Sequence, residues 1–267
     1  MIFSDKCVII TGGGSGIGKA CASLFQREGA YVWILGRNEE KLEKACRELN
    51  EVNNSEGEVQ VMPVMYLAAD IAKVSECERA VKFITEKNGR IDVLVNCAGT
   101  STAGSSLDVT EEMWDRMVDT NLKGTFFMCR YALPELIKSK GNIVNISSDA
   151  GVVGNKELAV YCASKGGVTV MTKSLALEFA EKGVRVNSVC PTETDTPMMD
   201  VDAIEYGYGS KEEFEKQLQF IFPQGENARF VKAEEVAESV LFLADNRKAA
   251  AITGTALMVD FGMTAGY

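Results

Sequence analysis

A short apolar run, Cys7-Val8-Ile9-Ile10-Thr11, leads straight into Gly12-Gly13-Gly14-Ser15-Gly16-Ile17-Gly18, and a helical pattern opens at once behind it. Such a run suits a strand covered on both faces, as strands are in a parallel sheet, and parallel neighbours require a crossover helix. The spacing Thr11-Gly12-x-x-x-Gly16-x-Gly18 sets bare backbone and a helix N-terminus at the strand's end. A dinucleotide diphosphate is held at such a place by amide donors and the positive end of the helix. The motif therefore constrains fold and ligand together.

The same alternation continues to the C-terminus. Strands are predicted at Tyr31 to Leu35, within Val59 to Ala69, and at Ile91 to Asn96, Asn142 to Ser147, Val184 to Val189 and Ala256 to Val259. Helices are predicted at Gly16 to Glu28, Glu39 to Val52, Ser75 to Lys87, Val160 to Glu181, Lys211 to Phe222 and Glu234 to Ala244. The spacing of Met113, Met117, Leu122, Phe126 and Phe127 adds a long helix from Glu111 to Lys138, disturbed near Asn121 and Gly124. Regularity lapses between Pro191 and about Ser210, which suggests a lid over residues 192–225. The expected architecture is α/β: a single Rossmann-like, doubly wound parallel sheet of about seven strands with helices on both faces. Residues 1–267 are read as one dinucleotide-binding and catalytic domain.

Composition removes several function classes. The chain has no histidine, so it has no imidazole base for a Ser-His-Asp or Cys-His mechanism, and no metal site is expected. The formal charge of −10 repels phosphate backbones and anionic lipid heads, so neither nucleic acid nor membrane is an expected partner. Eight cysteines stand singly, mostly in apolar runs, as reduced buried thiols do. No leader-like N-terminus and no apolar span of ~18 to 20 residues is found, and a cytoplasmic protein is expected.

Two places speak to chemistry. The second strand ends in Leu35-Gly36-Arg37-Asn38, where an NAD-selective domain would offer a carboxylate to the ribose 2′-hydroxyl. Arg37 suits a 2′-phosphate instead, so NADP(H) is favoured over NAD(H), although Ser15 is not the second basic residue some NADP sites carry. Tyr161 and Lys165 stand at i and i+4 on one helical face. A phenol ordinarily ionises near pH 10, and an adjacent ammonium favours its phenolate.

With Asn96-Cys97-Ala98-Gly99 ending the fourth strand and Asn145-Ile146-Ser147-Ser148 the fifth, the chain resembles the short-chain dehydrogenase/reductase family. The resemblance runs through the glycine turn, Asp70-Ile71, Asn121, Ser148, Tyr161, Lys165, Asn187, Pro191 and Ile252-Thr253-Gly254. It implies that Tyr161 is the general acid in ketone reduction, with Lys165 holding the nicotinamide ribose and lowering the phenol pKa. Ser148 would bind the substrate oxygen and Asn121 would anchor a proton-supplying water chain. It implies a cofactor site at Gly12, Ser15, Gly16, Ile17, Gly18, Arg37, Asp70, Ile71, Asn96, Ala98 and Gly99. The site continues through Tyr161, Lys165, Pro191, Thr194 and Thr196, with Thr196 on the carboxamide. A homo-oligomer, dimer or tetramer, is implied as well.

The chain departs from the family pattern at Cys97, Thr192 and Phe261, where Asn, Gly and Gly are usual. Thr192 puts the path of the lid in question, and Phe261 places a ring near a surface where relatives assemble. Met198, Met199, Tyr206, Tyr208, Phe214, Leu218, Phe220 and Phe222 fill the lid, so a lipophilic hydroxysteroid or bile-acid-like ketone or alcohol is expected, unless these residues only pack the lid onto the sheet. The rivals are a 3-oxoacyl thioester reductase and a non-catalytic nucleotide-binding protein. Leu177, where such reductases often carry Arg, and the negative charge argue against the first. The intact Asn121, Ser148, Tyr161 and Lys165 set argues against the second.

Overall fold

The structure is a computed structural model that describes residues 1–55 and 62–266. Its main sheet holds β1 (Cys7–Thr11), β2 (Tyr31–Gly36), β3 (Met65–Ala68), β4 (Val93–Asn96), β5 (Asn142–Ile146), β6 (Arg185–Pro191) and β9 (Ala256–Val259). All seven are parallel, in the order β3-β2-β1-β4-β5-β6-β9. Side chains alternate across the pleat, so Val8, Ile10 and Ile34 face α1 (Gly16–Arg27), α2 (Glu39–Ser55) and α9 (Ala233–Ala244). Cys7, Ile9 and Leu94 face α3 (Val74–Asn88), α5 (Thr125–Ser139) and α6 (Ala159–Phe179). Both faces are thus covered, which is why the strands read as apolar runs. Strand order reverses between β1 and β4, and the crevice outside their carboxyl ends is where ligands bind in such sheets.

Two elements differ from expectation in extent, and a third breaks where expected. Helix α2 continues to Ser55, because asparagines that disfavour a helix interior are tolerated near its end. The third predicted strand occupies only Met65–Ala68, and residues 59–61 of its window lie outside the described residues. The long helix divides as anticipated at Asn121 and Gly124: α4 (Glu111–Val118) passes through a π-helical turn, Asp119–Gly124, into α5.

The segment expected to form a lid, residues 192–225, is more regular than its sequence suggests. It holds β7 (Thr194–Asp195), paired in parallel with β8 (Val231–Lys232), then α7 (Pro197–Glu205) and α8 (Lys211–Ile221). Proline at the first position of α7 suits a helix start, since its missing N–H would have had no partner there. Lys211 ties the two ends of this region together, reaching Asp195 at 2.7 Å and Asp200 at 3.3 Å. Met199, Phe214, Leu218, Phe222 and Phe230 form a core of their own, with Tyr206 and Tyr208 against it. Tyr208 stacks on Phe214 at 4.2 Å between centroids. Phe261, expected at an assembly surface, turns inward: its ring lies 6.2 Å from that of Phe222, and the Arg229 guanidinium sits 4.9 Å from its centroid. Replacing Phe214 by Leu keeps the lid apolar but removes the stack, at a cost of about 1 kcal/mol. A calorimetric scan is expected to show a Tm lower by about 2–4 °C.

Candidate active site

The crevice has two connected halves that share Ile17, Cys97, Gly99, Thr196 and Met198. Gly12, Ser15, Gly16, Arg37, Asp70, Ile71 and Ala98 line the first half. Gly12 has φ +71°, and a Cβ there would fall 2.8 Å from the Ala98 backbone; Gly16 has φ +50° and would press on Thr196 at 3.0 Å. Ser15 stands at the N-cap of α1 without a side-chain cap, which leaves the first amides of the helix for a ligand. Bare backbone that closes against a neighbouring loop, together with an uncapped helix start, fits a dinucleotide diphosphate. Arg37 is exposed at the far end of this half, and its side chain makes no ion pair among the described residues.

Two of the expected cofactor residues stand elsewhere. Asn96 points into the core, where its Nδ2 donates to Asn145 Oδ1 at 2.9 Å and to Cys129 Sγ at 3.2 Å, so its side chain joins β4 to β5 and lines neither half. Gly18 also stays out of the crevice. A Cβ there would meet the Gly12 carbonyl oxygen at 2.4 Å, so its bareness lets α1 sit down on the turn. Asn187 bonds the Ile252 carbonyl and the Thr255 amide, fastening β6 to the loop before β9.

The second half gathers Ser148, Tyr161 and Lys165 with Pro191, Thr192 and Thr194, drawn from the ends of β5 and β6 and the first turns of α6. Thr196 is the N-cap residue of α7, against Gly16. Lys165 is buried; its Nζ donates to the Ile146 carbonyl at 2.9 Å and lies 5.8 Å from the Tyr161 ring centroid. Asn121, in the π-helical turn, accepts from the Thr100 amide at 2.8 Å and donates to the Thr100 carbonyl at 2.9 Å and to Ser164 Oγ at 3.1 Å. A Cβ on Gly99 would lie 3.4 Å from Asn121 Oδ1 and 3.5 Å from Lys165 Nζ, so glycine keeps the space between them clear.

The electrostatics correct one expectation. Tyr161 was expected to be acidified by Lys165, yet its pKa is raised, first by burial and then by the nearby Asp149, Asp202 and Glu193 carboxylates. Only a hydrogen bond from Ser148 draws it down. Lys165 itself is pushed down to about 8 by burial, so its own charge is held weakly. Burial and these acids therefore favour the protonated phenol over the phenolate.

Sequence reading passed over the acidic lining. Asp149, Glu193 and Asp202 all face this half of the crevice. Burial, then mutual repulsion, moves Glu193 to about 8, while burial and Glu205 move Asp202 to about 7. The available signal was Met198, Asp202 and Tyr206 at i, i+4 and i+8 behind a Thr-Pro helix start, one face of a helix within a stretch read as irregular. Of the apolar lid residues, only Met198, Met199 and Tyr206 reach the crevice, while Tyr208, Phe214, Leu218 and Phe222 pack in the lid's own core and Phe220 is exposed.

Comparison with known proteins shows the family. The short chain dehydrogenase family model matches residues 6–205. The meso-2,3-butanediol dehydrogenase of Serratia marcescens is 35% identical over 265 residues, spanning 99% of this chain and 97% of the relative. The 3-oxoacyl-[acyl-carrier-protein] reductase FabG of Thermotoga maritima is 36% identical over 264 residues, spanning 98% and 99%. Among solved structures, an actinorhodin polyketide ketoreductase variant with NADPH superposes with a TM-score of 0.89 at 34% identity, covering 98% of each chain. The chain belongs to the short-chain dehydrogenase family, and it is an NAD(P)-linked oxidoreductase of CH–OH groups.

Proposed function

We propose that this chain interconverts a small ketone and its secondary alcohol, with Tyr161 as the acid/base and NADP(H) as the preferred cofactor. The observation that carries the reading is the meeting of Ser148, Tyr161 and Lys165 in a crevice continuous with the glycine turn. A bound nicotinamide supplies or accepts the hydride. Tyr161 gives its proton to the carbonyl oxygen during reduction and takes it back during oxidation. Ser148, whose Oγ donates to Asp149 Oδ1 at 2.8 Å, turns that hydrogen toward the substrate oxygen. Lys165 holds the ribose and restores the proton to Tyr161 through water in the space Gly99 leaves beside Asn121.

A steroid or bile-acid substrate has less support, because of the lid residues that suggested it only Met198, Met199 and Tyr206 reach the crevice, where carboxylates also stand. Thioester reduction is the second reading, since the FabG relative aligns along the whole chain. Against it, Leu177 stands exposed on α6 with no cation at that position to meet an acidic carrier.

Selection of NADP(H) rests on Arg37. Arg37→Ala is expected to raise the KM for NADPH at least ~10-fold while leaving that for NADH nearly unchanged, as loss of a charge-assisted bond predicts. Initial rates at 340 nm with both nicotinamides check this, and equal effects on the two remove Arg37 from the selection. Residues 1–267 act in this reading as one catalytic domain in the cytoplasm, where eight unpaired cysteines suit a reducing compartment. No helix among the described residues is long and apolar enough to cross a membrane. Assembly into a homo-oligomer, dimer or tetramer, would cover Phe126, Val170 and Leu177, which α5 and α6 expose.

A further inference from the structure

The substrate half of the crevice carries more carboxyl groups than a neutral ketone requires. Asp149, Glu193 and Asp202 line it, and Glu205 adds its field from the end of α7. Asp149 has local partners, since its Oδ1 accepts from Ser148 Oγ and from the Ala150 amide. Glu205 is engaged as well, accepting from the Ala103 amide at 3.0 Å. Asp202 differs from both. It is only 5% exposed, it lies on the crevice face of α7, and its carboxyl group makes no hydrogen bond or ion pair among the described residues.

A carboxyl group largely withdrawn from water without a partner is costly, and what exposure Asp202 keeps is toward the crevice. Lys165 is the only cation lining this half among the described residues, and the reading above assigns it to the ribose and the proton path. The crevice therefore lacks a positive partner that neither the lid nor the sheet provides. Resting on the oxidoreductase reading above, we propose that the substrate is a secondary alcohol or ketone bearing a protonated amine, with the ammonium held by Asp202 and supported by Glu193 and Asp149. A vicinal diol would offer the same acids hydrogen bonds but no charge, and so would leave them holding their protons rather than ionised against a cation.

The groups that face Asp202 are Glu193, Glu205, Asp149, Tyr161, Tyr206 and the more distant Lys165. With Asp202 near 7 and Glu193 near 8, an arriving ammonium displaces protons from the acids. Preference for the amine is therefore expected to rise between about pH 6 and 8, then to fall as the amine itself loses its proton near 10.

The test measures kcat/KM for 1-amino-2-propanol, 1,2-propanediol and 2-butanol from pH 6 to 9, with each nicotinamide, in the wild-type protein and in Asp202→Asn. The amine is expected to exceed both neutral alcohols at least ~10-fold at pH 8, the effect of one hydrogen bond to a buried charge. Asp202→Asn is expected to bring that ratio close to one, and Glu193→Gln to lower it several-fold, which covers the case of an Asp202 variant that does not fold. A wild-type preference for the diol or for 2-butanol overturns the amine assignment while the oxidoreductase reading stands. Failure of all three alcohols with both nicotinamides defeats the two together.

Discussion

Tyr161→Phe is expected to lose activity by about 10²- to 10⁴-fold in kcat while still binding its cofactor, because only the transferable proton is removed. The ring and its packing survive the change. Ser148 and Lys165 keep their other bonds, to Asp149 and to the Ile146 carbonyl. The phenol's pKa is raised by burial and by the carboxylates beside it, so at neutral pH the wild-type group is protonated and competent as an acid. Single-turnover reduction followed by nicotinamide absorbance, paired with a fluorescence titration of cofactor binding, separates the two effects. Full turnover in the phenylalanine variant would remove Tyr161 from the chemistry.

Lys165→Met is expected to cost both turnover and cofactor affinity, each by about 10²-fold or more, since one ammonium is assigned to the ribose and to the proton path. Stability is expected to move the opposite way. Burial lowers the lysine from an ordinary 10.5 to about 8, so between those values the unfolded chain binds more protons than the folded one. Wild-type stability therefore rises with pH across that window, and below pH 8 the fold carries the cost of a buried charge. Methionine has similar length and no charge, so the variant is expected to melt at a higher temperature at pH 7 while the pH dependence between 8 and 10.5 flattens. Thermal melts across pH 7 to 10.5 check this, and an unchanged slope would show that Lys165 is not the group responsible.

These effects trace to features that were unequally visible beforehand. The glycine turn could be read directly, because a positive φ at Gly12 and Gly16 and a close approach to Ala98 are demands of local backbone. The pairing of Tyr161 with Lys165 was equally visible, as four residues make one helical turn. The direction of the Asn96 side chain was not legible, since nothing in Asn96-Cys97-Ala98-Gly99 tells which of four adjacent residues turns toward a cleft. The register of β4 on β5, Asn96 opposite Asn145, turns it into the core. The lid rings could be read either as a pocket lining or as packing, and most of them hold α7 and α8 together in a core of their own.

Periodicity and turn chemistry alone thus determined the parallel sheet, the dinucleotide turn and the Tyr161–Lys165 face, because each depends on residues a few positions apart. Tertiary structure decided that Asp149, Glu193 and Asp202, from three separate segments, share one crevice with Tyr161, and that burial beside them raises the phenol's pKa. Burial and the summed field of distant charges set such properties, and both exist only once the chain has folded.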